Sequence, residues 1–235
     1  MNSARFYATI KGMIGIVDYN AGNIKSVERA LDFLGAPYVL SKNPADLQNV
    51  SRVIFPGDGE AAYAMRELVL SGYDSFLREW AEAKKPLLGI CIGAQIIFDQ
   101  SEEGGSVQNG VQTYTKCLGL IPGTIRHFAN VWRERDLDKE SHSRKVPHMG
   151  WNDVSFNGRC PILKGVPEGS DFYFVHSYVI QPQDPAVIKG YADYGAIVPA
   201  VIQSGNVFAC QFHPEKSGKA GLQILKNFVE GDLQC

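Results

Sequence analysis

Three short stretches hold residue types that could do chemistry together. The first is "PLLGICIGAQ", residues 86–95, in which Cys91 stands between an apolar run and a small-residue turn. A sharp strand-to-helix turn lifts the residue at its apex above a sheet as an accessible nucleophile. Gly89 and Gly93, two positions before and after Cys91, relieve crowding at such a turn. The N-terminus of a following helix favours thiolate over thiol, and the backbone N–H of Ile92 is free to stabilise an oxyanion. The same segment also fits a buried structural cysteine, because free cysteine is among the most buried residue types. The second stretch is "ACQFHPEKS", residues 209–217. His213 precedes a proline, which biases it to extended geometry. Residues two apart in an extended segment face one side, so Glu215 could fix the tautomer of His213 while His213 takes the thiol proton. The competing reading is a surface turn with an incidental His and Glu. The third is "FPGDGE", residues 55–60, a glycine loop that can aim backbone N–H groups at a developing negative charge or serve as an ordinary connection.

The elements that must position these groups read as an α/β fold. "MIGIVDY" is a buried parallel strand, and "IKSVERALDFLG" an amphipathic helix stopped by Gly35. "APYVL" and Val53–Phe55 follow as strands, residues 60–84 as helix with a break at "SGYD", "KPLLGI" as a fourth strand and "AQIIFDQ" as the helix after it. Alternation of strand and helix predicts a doubly wound, mostly parallel sheet flanked by helices. In such a sheet the loops after adjacent strands share one crevice. The second half carries alternating apolar and aromatic residues between turns, which predicts additional antiparallel strands. "GKAGLQILKNFVEG" closes the chain as an amphipathic helix. Residues 127–145 are polar and mixed in charge and read as a solvated surface excursion.

Composition sets the outer bounds. With 235 residues, 45% of them hydrophobic and 20% charged, the chain suits one domain with a sizeable core, expected over residues 13–235 behind a loose tail at 1–12. A net charge of −2 with no Lys/Arg block gives no hint of nucleic acid or an anionic membrane. No apolar run approaches the ~20 residues of a membrane helix, and "MNSARFYATIKG" lacks the features of a secretion signal. Five scattered cysteines form no CxxC pair, so neither a disulfide scaffold nor a zinc knuckle is expected, and the expected compartment is the cytoplasm. No metal and no cofactor is implied.

Taken together, GxCxGxQ followed far downstream by HPE resembles the class I, triad-type glutamine amidotransferases. "IVDYNAGNIKSVERAL", "IFPGDGEA", "GICIGAQIIF", "VPHMGWN", "FYFVHSY" and "CQFHPEKS" occur in the order found in the glutaminase subunits of imidazole glycerol phosphate synthases. The resemblance runs from Met13 to the last helix. It implies that Cys91 attacks the side-chain amide of L-glutamine to give a thioester, with His213 as base and Glu215 as its orienter. It implies oxyanion donors from Ile92 and from the glycine loop at Gly57. Glutamine would be held by Gly59, Gln95, Ser177 and Tyr178. The ammonia would pass to a (β/α)8 cyclase subunit in a heterodimer, with Asn23, Trp151 and Lys216 near the interface. His148 and Trp151 share the "PHMGWN" motif; Met149 is expected in the core, Trp151 at the partner surface.

The chain also departs from the pattern. The family usually shows PGVGAF where this sequence has "PGDGEA", so Asp58 and Glu60 add two carboxylates beside the forming oxyanion. Pointing inward they would oppose it; the expected arrangement points them outward. The 127–145 excursion is also longer than the family suggests. Two further functions compete with the first: a paralogous glutaminase feeding a sugar-amidating partner, and a docking subunit without catalysis. The intact Cys91, His213 and Glu215 argue against the last.

Overall fold

Short apolar runs become strands buried on both faces, because alternate residues of each strand serve opposite sides of one sheet. The computed structural model describes residues 12–20, 24–108, 110–134 and 144–233. The expected tail, apart from Gly12, and Asn23 lie outside the described residues. Strands β1 (Ile14–Val17), β2 (Tyr38–Ser41), β3 (Arg52–Gly57) and β4 (Leu87–Cys91) run parallel. The second half supplies β10 (His148–Phe156), β11 (Ser170–His176), β13 (Ile188–Asp193), β14 (Ile197–Ser204) and β15 (Val207–Cys210). The nine strands form one sheet in the order β11-β10-β13-β14-β15-β4-β3-β1-β2. β15 joins β4 in parallel, and from β15 to β11 every pairing is antiparallel. The parallel core with an antiparallel extension matches the expectation from the sequence.

The two faces have separate cores. Ile16, Ile54, Leu88, Ile90 and Phe208 pack under helices α1 (Ile24–Leu34) and α6 (Gly218–Glu230). Val17, Val53, Phe55, Leu87 and Ala209, from the same strands, pack under α2 (Ala61–Ser71) and α3 (Tyr73–Glu82). Each fully buried aliphatic or aromatic side chain contributes about 1.5–3 kcal/mol by leaving water. The expected break in the second helical region falls at Gly72, whose φ of 77° ends α2 and starts α3. An L side chain is strained in that conformation.

A second sheet of four strands has the order β12-β9-β5-β8, built from β5 (Gln100–Ser101), β8 (Thr115–Lys116), β9 (Gly123–His127) and β12 (Tyr178–Pro182). The chain passes from β11 in the large sheet to β12 in the small one through Ser177 alone. That crossing becomes a wall of the site described below.

Three local expectations change. The helix after Cys91 is α4 (Ile92–Ile96), not residues 94–100: all five of its residues are buried, and residues 100–101 pair with β9 as a strand instead. Residues Phe128–Glu134 form a helix, α5, rather than a solvated loop, because Phe128, Val131 and Trp132 fall on one face and are buried. The rest of that excursion, 135–143, lies outside the described residues. Met149 is 61% exposed, since β10 alternates and His148, not Met149, takes the inward position.

Candidate active site

Three neighbouring parallel strands, β15, β4 and β3, end at the same edge of the sheet. Gly57 is opposite Cys91 and Ile90 is opposite Cys210 in the register. The glycine loop, the Cys91 turn and the HPE turn therefore open into one crevice outside the carboxyl ends of the strands.

Cys91 ends β4 and caps α4 with φ 55° and ψ −110°, a conformation that costs a non-glycine residue ~1–3 kcal/mol. Its neighbours enforce the turn. A Cβ on Gly93 would lie 2.1 Å from the Phe55 carbonyl oxygen, and one on Gly89 2.7 Å from the carbonyl oxygen of Gly93. Close backbone approach, rather than conformational freedom, demands both glycines. Cys91 is 4% exposed, and its thiol donates to the Val175 carbonyl at 3.8 Å. The N–H of Ile92 is the first of α4 and has no acceptor within the helix.

His213 and Glu215 meet by a different route from that expected. Residues Pro214–Lys216 form a 3-10 turn, and the turn, not strand alternation, brings Nδ1 of His213 to 2.8 Å from Oε1 of Glu215. Both side chains are buried. Ser217 fixes the turn to the sheet: its hydroxyl donates to the His213 carbonyl at 2.6 Å and accepts from the Tyr173 amide at 3.0 Å. Burial disfavours a charged imidazole at His213, but hydrogen bonds with Cys91 and with Glu215 outweigh it, so the ring is pushed up to about 10. Cys91, His213 and Glu215 thus form a connected chain of nucleophile, base and orienter.

Above the chain lies a cavity of about 280 Å³. Of the residues singled out in the sequence, Gly59, Ile92, Gln95, Ser177 and Tyr178 line it, together with Cys91 and His213. Gly57 does not: it ends β3 beneath the loop, where a Cβ would stand 2.7 Å from the Tyr19 hydroxyl. Asp58 and Glu60 are exposed, but Asp58 lines the cavity, against the expectation that both point away from it. The Asp58 charge is also felt at the buried Tyr19: burial first, then Asp58 and Cys91, hold its phenol well above its usual range.

Gln95 is buried and donates through Nε2 to the Tyr178 carbonyl at 3.2 Å and to Oε1 of Gln211 at 2.8 Å. Its own Oε1 is buried and has no hydrogen-bond partner among the described residues. Two titratable lining residues, Glu103 and His176, escaped the sequence reading. Glu103 accepts from the Ala61 amide at 2.8 Å, capping α2 from a separate segment. Burial lifts it to about 6, the Ala61 amide opposes the shift and Glu60 adds to it. His176 is the last residue of β11 and faces the same cavity. Neither had a motif signal of its own, although His176 stands inside "FYFVHSY".

Of the residues expected near a partner, Trp151 is 59% exposed and its ring lies 6.0 Å from that of Tyr173, which is also 6.0 Å from the Lys216 ammonium. The three form one surface cluster directly behind the HPE turn. Among the described residues no helix is long and apolar enough to cross a membrane.

Residues 15–231 match the family described as glutamine amidotransferase class-I. The imidazole glycerol phosphate synthase subunit HisH of Nitratidesulfovibrio vulgaris strain Hildenborough is 45% identical over 216 residues, covering 92% of this chain and 95% of that protein. The HisH subunit of Geobacillus kaustophilus is 46% identical over 217 residues, with 92% and 96% covered. The chain belongs to the class-I glutamine amidotransferases, in their HisH branch. It is accordingly an enzyme, the glutamine amidotransferase subunit of a synthase. The fold is shared with more distant solved structures of 18% identity: a glutamine amidotransferase at TM-score 0.66, covering 93% of this chain and 99% of that one, and PurLQS from Thermotoga maritima at TM-score 0.66, covering 94% and 98%.

Proposed function

We propose that this HisH-type chain, as one domain from residue 13 onward, hydrolyses L-glutamine in the cytoplasm. Its ammonia goes to a (β/α)8 cyclase subunit in a heterodimer. There the cyclase uses it to make imidazole glycerol phosphate, with aminoimidazole carboxamide ribotide as the second product, in histidine biosynthesis. The observation that carries the chemistry is the Cys91–His213–Glu215 chain at the floor of a cavity large enough for an amino acid.

Cys91 gives its thiol proton to His213, and its sulfur attacks the side-chain carbonyl carbon of glutamine. The carbonyl oxygen gains negative charge and is met by the Ile92 N–H and by an amide of the Gly57–Gly59 loop, each donor being worth ~10²–10³ in rate. The His213 imidazolium protonates the leaving nitrogen, and ammonia departs from a γ-glutamyl thioester. His213, now neutral, takes a proton from water, which cleaves the thioester and returns the thiol. Glu215 holds Nδ1 of His213 so that the other ring nitrogen serves Cys91.

Recognition follows from the charges around the cavity. Glu103 is the carboxylate suited to the α-ammonium of glutamine, because it lines the cavity and is ionised above about pH 6. Gln95, Ser177, Tyr178 and Gly59 complete the walls that hold glutamine. Trp151, Lys216 and Asn23 serve the cyclase surface; an exposed aromatic beside a cation is the composition of an interface hot spot.

The test is the reconstituted complex. Cys91→Ala should abolish glutamine-dependent synthesis and glutamate release while synthesis from added ammonium salt continues. Glutamine-dependent synthesis by that variant would refute the assignment of the nucleophile. A sugar-amidating partner would instead leave the cyclase unable to co-purify with the chain.

A further inference from the structure

Two buried histidines that the mechanism does not use stand side by side between the cavity and the outer sheet. His176 ends β11 and His148 begins β10, directly opposite in the register. They are 6% and 2% exposed. Nδ1 of His176 lies 2.7 Å from the Tyr178 carbonyl oxygen. Its Nε2 lies 3.0 Å from Nδ1 of His148, and Nε2 of His148 lies 3.3 Å from Nδ2 of Asn152.

One set of tautomers satisfies every atom. A carbonyl oxygen only accepts, so Nδ1 of His176 carries a hydrogen. In a neutral ring Nε2 is then an acceptor, which requires a hydrogen on Nδ1 of His148. Nε2 of His148 must accept in turn, and the Asn152 amide nitrogen is a donor, as its second bond to the Asp193 carbonyl at 3.0 Å requires. Neutrality is assured by the surroundings. Burial, the neighbouring His176 and then Arg144 push His148 down to about 3. Burial takes His176 to about 4, with the Tyr178 carbonyl opposing and His213 adding. The His148 ring cannot turn freely, being stacked on Phe174 at 4.5 Å and on Tyr194 at 3.9 Å between centroids.

The end of this chain is the wall of the cavity. The bond from His176 to the Tyr178 carbonyl spans Ser177, the single residue at which the backbone leaves one sheet for the other. The same carbonyl accepts from Gln95, and the preceding Val175 carbonyl accepts from Cys91. We propose that Asn152, His148 and His176 form a relay of fixed tautomers that positions the Ser177 crossing, and through it Gln95 and the glutamine-binding wall. His176 and His148 are positioning residues for glutamine. The proposal rests on the glutaminase reading above. It also explains why the partner face and the cavity share a strand: β10 carries His148 inward and Met149 and Trp151 outward.

The experiment uses the complex with the cyclase. An Asn side-chain nitrogen takes the place of histidine Nδ1, whereas Leu supplies no donor. His176→Leu should therefore raise KM for glutamine about tenfold or more, the value of one lost buried hydrogen bond. His176→Asn should recover most of that loss. His148→Phe, which keeps the stacking but removes the donor, should raise KM in the same direction. Synthesis from ammonium salt should be unchanged in all three. In the unsubstituted chain, nitrogen-15 NMR should show His176 neutral with hydrogen on Nδ1. An unchanged glutamine KM in His176→Leu, with or without a fall in kcat, overturns the proposal. So does an Nε2–H tautomer or a charged ring at His176. The NMR result stands even where a variant fails to fold. Absence of glutamate release from the unsubstituted complex would instead overturn the glutaminase reading, which the tautomer measurement does not depend on.

Discussion

Gly93→Ala is expected to lower glutaminase kcat/KM about a hundredfold while the chain stays folded. A Cβ at position 93 would stand 2.1 Å from the Phe55 carbonyl oxygen. Carbon and oxygen settle at about 3.3 Å or more, so one side must yield by about 1 Å. Neither side is the loose end of a side chain. Phe55 is in β3, paired with Gly89 of β4, and Gly93 is in α4, two residues beyond Cys91. The displacement therefore changes the distance between the Cys91 turn and the glycine loop, the two groups that must act on one carbonyl. A misplacement of about 1 Å costs ~10²-fold in rate, about 2.7 kcal/mol of activation free energy. Overpacking costs about 1–3 kcal/mol of stability, which for a chain of this length lowers Tm by roughly 2–12 °C. The assay is glutamate release by the complex, beside calorimetry of the variant. Activity within about threefold of the unsubstituted protein, with Tm within about 1 °C, would refute the claim that backbone contact sets the nucleophile.

Other perturbations address other parts of the site. Glu103 is ionised above about 6 and neutral below it, so KM for glutamine should rise up to about tenfold per pH unit below that point. Glu103→Gln should raise KM above about pH 6 and remove the slope; a flat profile in the unsubstituted enzyme rejects the ammonium contact. Glu215→Gln removes a support for the charge on His213, so the ring's titration, followed by NMR, should move down from about 10, and kcat should fall ~10²–10⁴-fold. An unchanged kcat would deny Glu215 its role. Arg52 is buried and donates to the carbonyls of Phe228 and Gly231, tying the end of α6 to β3. Arg52→Met should cost about 1.5–3 kcal/mol, read as a lower Tm, with kcat/KM retained at low temperature; an unchanged Tm rejects it.

The parts of the molecule that the sequence made legible are those built from local pattern. β-branched runs, helix-period spacing and Gly72 produce the parallel half, and GxCxG marks the Cys91 turn because two backbones nearly touch there. What escaped depends on contacts between distant segments. Glu103 acquires its place because a turn after β5 folds back to cap α2, a contact across 42 residues. Helix α4 stops early because the chain after it is captured by β9, and propensity in residues 97–100 has no say in that. Met149 is different: strict alternation from His148 was visible, and a methionine's usual place in cores misdirected the reading. The HPE geometry was right in outcome and wrong in route, since a 3-10 turn and an extended segment can both bring residues two apart together.

The backbone at Cys91 has a further consequence. A residue held at φ 55° and ψ −110° does not owe its posture to ligands or to mobile loops; the β3–β4 pairing and the Phe55–Gly93 contact impose it. The thiol is therefore poised in every state in which the large sheet is intact, whether or not anything is bound. Any control over hydrolysis that leaves the large sheet intact therefore has to act on the other walls of the cavity, the glycine loop and the Ser177 crossing.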